Sequence, residues 1–465
     1  MVGLWDDPKR SCYNFEREVG YCSGACLMIE RALFSELGGF DPAFAPAYCE
    51  DSDLCFRVRQ AGRKVIYQPH ATVVHQLSAS MQDAAIDKPQ VIAANQAKFL
   101  KRWRATLAAD DAVRTLAFYL PQYHPIPEND QWWGRGFTDW TNVAKARPVF
   151  PGHRQPNVPA DLGFYDLRRA AIREEQATLA RTHGIHGFCY YYYWFGGQRL
   201  LHEPLDQVIE LGEPDFPFCV CWANENWTRR WDGLDSEILI AQRHSAEDDL
   251  QFIASLLPAF RDKRYIRVNG RPLLLVYRPS QLPDARATVE RWRRYCAEQG
   301  VGEPYLVMAQ SFYHLDSTGP DAFGFDAAVE FPPHSLAIEV PNQPRGFSGQ
   351  RFDGRVYDYR ATADNFSKRE MPPYKLFRSV MPRWDNTARR GSASNVFLNG
   401  DPDAFGQWLE RAVAYTKRIY FGDERLVFIN AWNEWAEGNY LEPDLQHGHA
   451  YLEAARSVLV KAPER

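Results

Sequence analysis

With 465 residues, of which 45% are hydrophobic and 24% charged, the chain has a globular composition and room for two or three domains. Its formal net charge of -5 provides no basic field for a phosphate backbone, so we expect no nucleic-acid partner. No apolar run reaches the ~20 residues of a bilayer span, and no transmembrane segment is predicted.

The amino-terminal residues and the cysteines indicate a reducing compartment. Residues 1–10 lack the basic start and apolar stretch of a secretory signal. The nine cysteines are odd in number and show no repeated zinc-like spacing, although several crowd the first 55 residues. We therefore predict a cytoplasmic protein with reduced thiols and no metal site.

The chain is predicted to divide where a small, polar stretch, 105–113, follows the amphipathic segment 89–103. We expect a short first domain over 1–104, a linker over 105–113 and a long second domain over 114–465. The sequence has no low-complexity tract and no close internal repeat.

In the second domain, short apolar runs alternate with longer segments of helical periodicity. The helical segments are Asp166–Thr182, Ala246–Phe260, Asp284–Gln299 and Asp401–Lys417. The predicted strands are Thr115–His124, Ile185–Phe195, Phe216–Trp227, Pro272–Pro279, Tyr305–Phe312, Ala327–His334, Phe377–Asn386 and Leu426–Trp435. Eight strands with intervening helices predict an α/β fold, a (β/α)8 TIM barrel.

A doubly wound open sheet is the alternative architecture. That fold usually has a glycine-rich phosphate turn after its first strand. The segment Tyr119–His124 supplies proline and aromatic residues at that place instead, so the barrel is the preferred prediction.

Polar and aromatic side chains follow the predicted strands. The carboxyl ends of barrel strands converge on one face, where barrel enzymes build their sites. Aromatic residues make up 14% of the chain, and their rings can stack on the apolar faces of sugars. The residues expected to bind substrate are Tyr119, Gln122, Tyr123, His124, Trp140, Tyr190, Tyr192, Trp194, Asn224, Glu225, Trp227, Tyr277, Gln310, Trp384, Asn433 and Trp435.

The paired carboxylates Glu434 and Glu437 are the candidate catalytic groups. Breaking a glycosidic bond needs one group to protonate the leaving oxygen and another to act at the anomeric centre. On a straight strand their spacing would direct them to opposite faces. If the backbone curls at Ala436–Gly438, they come to one side, roughly 5–6 Å apart, which favours retention over inversion.

Three further residues compete for a role in this chemistry. Glu225 has no carboxylate partner nearby in sequence, so we assign it to a substrate hydroxyl. His124 and His186 are candidates for acids or ligands, but single histidines beside aromatics more often orient other groups by hydrogen bonding.

These segments match a known family. The matching stretches are Ala117–His124, Gly136–Asn142, His186–Tyr192, Trp222–Trp227 and Asn430–Gly438, and they span nearly all of 114–465. On these motifs the second domain resembles the WbsX-like proteins, which are related to glycoside hydrolase family 99, the endo-α-mannosidases and endomannanases.

The resemblance implies a (β/α)8 barrel and a retaining reaction on α-linked sugars. Carried over from the family motif, Glu434 is the base toward the sugar 2-hydroxyl, giving a 1,2-anhydro sugar intermediate. Glu437 is then the general acid/base. WbsX-like proteins occur in polysaccharide gene clusters and are often described as glycosyltransferases, so both hydrolysis and transfer are implied.

The first domain resembles the carboxyl-terminal half of a family 2 glycosyltransferase, a partial GT-A-like α/β domain. The resemblance rests on Cys22–Cys26, Glu36–Asp41, Glu50–Leu54 and Val74–His75. It implies that Asp51 is a catalytic base if this domain is active, and it places His75 where a metal contact is sometimes found. The half with the Asp-x-Asp metal site is missing, so we expect 1–104 to be a fragment or remnant.

The sequence therefore predicts a carbohydrate-active enzyme, either a hydrolase of α-mannoside-like linkages or a glycosyltransferase in lipopolysaccharide or O-antigen assembly. A non-catalytic glycan-binding protein is the third hypothesis. The expected partner is an oligosaccharide or polysaccharide substrate, together with other polysaccharide-assembly enzymes. We expect no cofactor for the barrel, and a divalent metal only if the missing glycosyltransferase half is present.

Overall fold

The computed structural model describes residues 7–74, 87–229, 234–311, 318–347 and 352–460. Contacts between Cα atoms divide the chain into two compact units, with the boundary between Val113 and Arg114. The segment Lys417–Arg425 belongs to the first unit.

The first unit is built mainly from three helices. They are Arg31–Glu36, Glu50–Gln60 and Lys88–Asp110, and the two-residue strands Arg17–Glu18 and Ile66–Tyr67 pair antiparallel. Its buried cluster comprises Cys55, Val58 and Val65.

The third helix of the first unit differs from the predicted linker. We expected 105–113 to be a linker, but the helix Lys88–Asp110 continues through most of it. Alanine has the highest intrinsic helix propensity, and this stretch contains several alanines, so the helix extends past the amphipathic segment.

The second unit is a closed barrel of eight parallel strands, as predicted. The strands are β1 (Arg114–Tyr119), β2 (Gly187–Phe195), β3 (Phe218–Trp222), β4 (Arg271–Val276), β5 (Tyr305–Gln310), β6 (Ala327–Glu330), β7 (Leu376–Val380) and β8 (Leu426–Ile429). Each strand pairs with the next in sequence, and β8 pairs with β1 to close the ring. Most of the strands end several residues earlier than predicted, because the polar and aromatic tails of the apolar runs form the loops.

The helices lie between the strands and around the loops. The helices that begin in the second unit are Pro127–Trp133, Asp139–Lys145, Ala170–Thr182, Glu203–Leu211, Ala246–Ser255, Leu257–Arg261, Ala285–Glu298, Tyr359–Lys368, Thr387–Arg390, Pro402–Ile419 and Ala450–Leu459. The side chains of Ser245 and Asp284 accept backbone hydrogen bonds at two helix starts, which explains where those helices begin. A three-stranded sheet of Ile338–Glu339, Arg355–Asp358 and Asn395–Leu398 is inserted in the same unit.

The two faces of the barrel strands have different partners. On the inner face, the Phe118 ring lies 5.8 Å from Tyr191 and 5.0 Å from Phe331. On the outer face, Trp222 of β3 stacks at 4.2 Å on Phe252 of the helix Ala246–Ser255. Side chains alternate along a strand, so neighbouring residues face either the barrel interior or the helices.

Candidate active site

A tight turn after the last barrel strand holds the two glutamates. Asn433–Glu434 pairs antiparallel with Asn439–Tyr440, and Trp435–Glu437 between them is a single 3₁₀ turn. A 3₁₀ turn has three residues, so side chains three apart lie on one side. The backbone thus curls where the sequence predicted, and it brings Glu434 and Glu437 to a common neighbour.

Gly438 makes this turn possible. Its φ of +58° is in the left-handed region, and a Cβ at this position would approach the Asp385 backbone oxygen to 2.9 Å. Asp385 N–H in turn donates to the carbonyl oxygen of Glu437 at 2.7 Å. The position of Glu437 is therefore fixed by a backbone contact that a larger residue would disturb.

The common neighbour of the two glutamates is Arg389. Its Nη1 donates to Glu437 Oε1 at 2.7 Å, and its Nη2 donates to Glu434 Oε2 at 3.0 Å. Nη2 also donates to Asp139 Oδ2 at 2.8 Å. One guanidinium thus binds three carboxylates from two separate segments of the chain.

Glu434 and Glu437 differ in their exposure to solvent. The Glu434 side chain is 7% exposed and that of Glu437 is 25% exposed. Burial raises the pKa of Glu434 to about 8; Arg389 lowers it, and the charges of Glu437 and Asp139 raise it. Glu434 therefore holds a proton near neutral pH and becomes a comparatively strong base once it loses that proton.

A second buried carboxylate, Glu442, holds the turn by hydrogen bonds from two tryptophans. It accepts hydrogen bonds from Trp435 Nε1 at 2.6 Å and Trp432 Nε1 at 2.9 Å. Gln176 Nε2 and the Tyr165 hydroxyl also donate to it, at 2.6 and 2.8 Å. Burial raises the pKa of Glu442 to about 7, and this effect outweighs that of the four hydrogen-bond donors, which lower it. Its role is to fix the two tryptophans that flank Glu434.

The segment that carries Arg389 is anchored by a histidine. His153 Nδ1 accepts from Val149 N–H at 3.1 Å, so its Nε2 carries the proton donated to Asp385 Oδ2 at 2.8 Å. Asp385 Oδ1 accepts from Thr387 N–H at 3.0 Å, at the start of the helix Thr387–Arg390. The contact between His153 and Asp385 therefore fixes the position of the helix that carries Arg389.

Aromatic side chains line the same end of the barrel. Tyr191 and Tyr193 lie on the inner face of β2, and burial together with the charge of Glu434 raises the pKa of both. The Trp227 ring lies 5.1 Å from Tyr193 and 5.9 Å from Trp132. Tyr277 adjoins Phe331 on the inner face at 5.1 Å, and the charges of Glu225 and Glu437 raise its pKa beyond the effect of burial.

Five of the predicted substrate-binding residues contact the surrounding helices and loops instead of the glutamates, which corrects their assignment: Tyr119, Tyr190, Tyr192, Trp194 and Gln310. Tyr119 donates to Gln176, Tyr192 bonds Ser255, and Trp194 Nε1 donates to Asp248. Tyr190 lies 4.4 Å from Tyr119, and Gln310 bonds Arg369 and Tyr374. A run of consecutive aromatics shows no polar alternation, so the sequence did not reveal which of them face inward.

Another five predicted residues are buried at the site but bonded within the protein. The Asn433 amide pairs with the backbone N–H and C=O of Leu120 at 2.7 and 3.0 Å. Asn224 pairs in the same manner with the backbone of Arg278. Tyr123, Trp140 and Trp435 also donate hydrogen bonds within this unit. Their observed hydrogen bonds shape the loops, and direct contact of these residues with a substrate stays a prediction.

The remaining predicted residues are distributed around the loops. Gln122, His124 and Trp384 are buried, and burial lowers the pKa of His124 to about 4, so it is neutral at neutral pH. Glu225 forms an ion pair with Arg278 at 2.6 Å. His186 lies at the amino end of β2, away from the glutamates.

The candidates in the first unit have different surroundings. Asp51 Oδ2 accepts from Gly24 N–H at 2.8 Å, and its Oδ1 accepts from Ser52 N–H at 2.6 Å. His75 lies outside the described residues. A catalytic role for Asp51 stays a prediction.

Among the residues that the structure describes, no group of three or more His, Cys, Asp or Glu side chains is arranged to hold a metal ion. Of the helices in the described ranges, none combines the length and apolar character that a bilayer crossing requires.

Comparison with protein families identifies the barrel. The model of the family described as Glycosyltransferase WbsX matches residues 115–455. The chain belongs to the WbsX glycosyltransferase family. This confirms the resemblance predicted from the motifs. A second family model, Glycosyltransferase like family 2, matches residues 11–89.

Individual relatives of this WbsX chain agree with that division. It is 47% identical over 363 residues to the uncharacterized protein WxcX of Xanthomonas campestris pv. campestris, covering 78% of this chain and 52% of that protein. The chain thus spans about half the length of the curated WxcX relatives it matches. A Mycobacterium tuberculosis N-acetylglucosaminyl-diphospho-decaprenol L-rhamnosyltransferase is 45% identical over 60 residues, 13% of this chain and 19% of that protein.

A solved structure also shows some similarity to the WbsX chain. The glycoside hydrolase family 99 endo-α-mannosidase from Bacteroides thetaiotaomicron aligns with a TM-score of 0.44 and 14% identity. The alignment covers 76% of this chain and 97% of that chain.

Sequence reasoning missed several residues of the site. Asp139 lies inside the matched stretch Gly136–Asn142, so that motif could have drawn attention to it. Tyr191 and Tyr193 alternate along β2 with the predicted residues Tyr190, Tyr192 and Trp194. Arg389 has no motif of its own, and only the fold brings it to the glutamates.

Proposed function

We propose that the barrel acts on α-linked, mannoside-like glycans with retention, through Glu434 and Glu437. The observation that carries the proposal is the shared contact of both glutamates with Arg389, on a turn that follows the last barrel strand. Two carboxylates on one side of a turn can serve the two roles that glycosidic chemistry requires.

In the proposed reaction, Glu434 takes the proton of the sugar 2-hydroxyl while the 2-oxygen attacks the anomeric carbon. The glycosidic bond breaks, and Glu437 gives its proton to the departing oxygen. Water or a sugar hydroxyl then opens the 1,2-anhydro ring, Glu437 takes the acceptor's proton, and Glu434 returns its proton to the 2-oxygen. Two inversions at the anomeric carbon give retention.

The surroundings of the two glutamates support these roles. The raised pKa of the buried Glu434 suits a base that must deprotonate a hydroxyl. Glu437 is the more exposed of the two, as a group that reaches the glycosidic oxygen at the rim should be. Half-buried Tyr191, Tyr193 and Trp227 offer apolar ring faces beside the pair.

The test compares Glu434→Gln and Glu437→Gln on two α-mannosides, one with a sugar leaving group and one with a good aryl leaving group. Glu434→Gln should lose about 10³-fold or more on both substrates, because each needs the base. Glu437→Gln should lose less on the aryl substrate, which needs no acid for bond cleavage. A 2-deoxy substrate should not react with the wild-type protein.

The matched control is Glu298→Gln, an exposed glutamate at the end of an outer helix, which should retain wild-type activity. Full activity of Glu437→Gln on the sugar-leaving substrate would overturn the assignment.

Transfer is the second candidate function, favoured by the WbsX glycosyltransferase family model over 115–455. The same site would then pass the glycosyl group to a sugar hydroxyl instead of water. Mass spectrometry of products formed with an activated donor and a glycan acceptor separates the two, because only transfer yields a longer glycan. We further propose a place in surface-polysaccharide metabolism, on the basis of the resemblance to WbsX-like proteins.

A further inference from the structure

Arg389 is held by Asp139 independently of the glutamates. Arg389 Nη2 donates to Asp139 Oδ2 at 2.8 Å, and Arg389 Nε lies 3.4 Å from Asp139 Oδ1, so the aspartate meets one edge of the guanidinium. Asp139 is fully buried, and its other contacts are the Gln122 carbonyl through its own N–H and the Asn142 amide. The guanidinium plane is therefore fixed before any substrate binds.

The terminal nitrogens of this guanidinium face the two glutamates. Nη1 meets Glu437 and Nη2 meets Glu434, so a single rigid group spans both carboxylates. Three carboxylates around one guanidinium repel one another when all are ionised, and a proton on one of the glutamates relieves that repulsion. The groups whose charges act on Glu434 are Arg389, Glu437 and Asp139, with the tyrosines Tyr123, Tyr191 and Tyr193 nearby.

We propose that Arg389, held by Asp139, is a positioning residue that keeps one proton shared between Glu434 and Glu437. The proposal rests on the proposed function: the pair then begins each reaction as one base and one acid. The charge of Arg389 stabilises the ionised glutamate, and the charge of Asp139 prevents both from ionising together. The raised pKa of Glu434 agrees with this arrangement.

The first experiment measures the protonation of Glu434 as a function of pH and does not depend on enzyme activity. Infrared difference spectra between each variant and the same variant carrying Glu434→Gln report the protonated carboxyl as pH is changed. Asp139→Asn should lower the midpoint of Glu434 deprotonation by about one pH unit or more, because a negative neighbour is removed. Arg389→Met should raise it by a similar amount, because a positive neighbour is removed.

Arg389→Lys separates position from charge. Lysine keeps the charge but cannot span both glutamates and Asp139 with a planar fork, so the midpoint should move little. Turnover of the aryl α-mannoside should nevertheless fall on the order of 10²-fold, since the glutamates lose their alignment. Wild-type turnover in Arg389→Lys would overturn the positioning role.

The matched control is Arg291→Lys. Arg291 donates to the buried Asp249 at 2.9 and 2.5 Å between two outer helices, so the same change is made away from the site. It should alter neither the midpoint nor turnover. Circular dichroism shows whether Arg389→Met folds. If it does not, the midpoint of Glu434 deprotonation in Asp139→Asn still tests the effect of charge, because asparagine has nearly the shape of aspartate and should not disturb the fold.

The outcomes separate the two proposals. Unmoved midpoints in Asp139→Asn and Arg389→Met overturn proton sharing, whatever the wild-type activity is. Moved midpoints in a protein that turns over no glycoside support proton sharing and count against the proposed function. Moved midpoints with matching shifts in the pH profile of kcat/KM support both.

Discussion

In the first unit one buried carboxylate meets several donors, whereas at the end of the barrel several carboxylates meet one guanidinium. Asp53 accepts from Arg57 Nε and Arg102 Nη1, both at 2.8 Å, and from Trp103 Nε1 at 2.9 Å. At the barrel end, Asp139, Glu434 and Glu437 all accept from Arg389.

The difference teaches what each group of charges does. A carboxylate surrounded by cationic donors is stabilised as an anion, and its contribution is structural. Carboxylates crowded around one cation bind protons more readily, and strongly perturbed groups of this kind concentrate at functional sites. The glutamate pair therefore has the features of a reactive site, and Asp53 has those of a structural anchor.

The largest expected effect tests the structural side. Asp53→Ala leaves Arg57, Arg102 and the buried Trp103 without their common acceptor and should destabilise the first unit by about 3 kcal/mol. Hydrogen exchange of the helix Glu50–Gln60 measures this loss. Asp41→Ala is the control: its side chain is 28% exposed and binds Arg102, so about 1 kcal/mol or less is expected. Equal losses in both variants would contradict the anchoring role of Asp53.

The next effect concerns the support beneath the glutamate pair. Glu442→Gln keeps the side-chain shape but turns one acceptor oxygen into a donor facing other donors. We expect a loss of about 2 kcal/mol in the free energy of unfolding, measured by chemical denaturation. Turnover should fall as well, since Trp432 and Trp435 lose a fixed partner next to Glu434. Unchanged stability would show that the four donors do not need the carboxylate.

The pH dependence tests the reactive side. The pKa of Glu434 is raised to about 8, so the glutamate pair holds its shared proton below that pH and loses it above. Above pH 8 kcat/KM should therefore fall about tenfold per pH unit, because Glu437 then has no proton to give to the departing oxygen and kcat/KM reports the free enzyme. The residual activity of Glu434→Gln should lack this falling limb at pH 8. A fall that begins near pH 4 to 5 would contradict the raised pKa.

The smallest expected effect contrasts two adjacent tyrosines. Tyr191 faces the barrel interior, and Tyr190 faces the helices. Tyr191→Phe should lower kcat/KM about three- to tenfold, as the loss of one hydroxyl contact implies. Tyr190→Phe should change it less than about twofold, because its hydroxyl lies outside the site. Equal losses would show that the strand faces have been assigned wrongly.

Much of the fold could be predicted from the sequence, because buried strands and helices leave a regular pattern of apolar residues along the chain. Each of the eight barrel strands lies within its predicted run or starts one residue before it, and the ring closes between β1 and β8. The ends of the strands were less predictable, since a strand stops where its partner stops. The predicted strand Leu426–Trp435 ends at Ile429, and the glutamates lie on a separate turn.

The candidate site was only partly predictable. The turn at Ala436–Gly438 follows from local chemistry, because glycine accepts a positive φ that other residues resist. The sequence did not show which side chains of Tyr190–Trp194 face the barrel interior and which face the helices, because every residue of that run is aromatic. Asn433 and Trp435 looked like substrate contacts, yet their polar atoms bond the protein itself.

The sequence by itself determined the barrel, the family motifs and the place of Glu434 and Glu437 after the last strand, since these depend on local patterns of apolar residues and on short turns. Only the tertiary structure decided which cation binds them. Arg389 is 45 residues from Glu434 and 250 from Asp139 along the chain. Contacts over such distances depend on how the strands and loops close the barrel, and no local pattern records them.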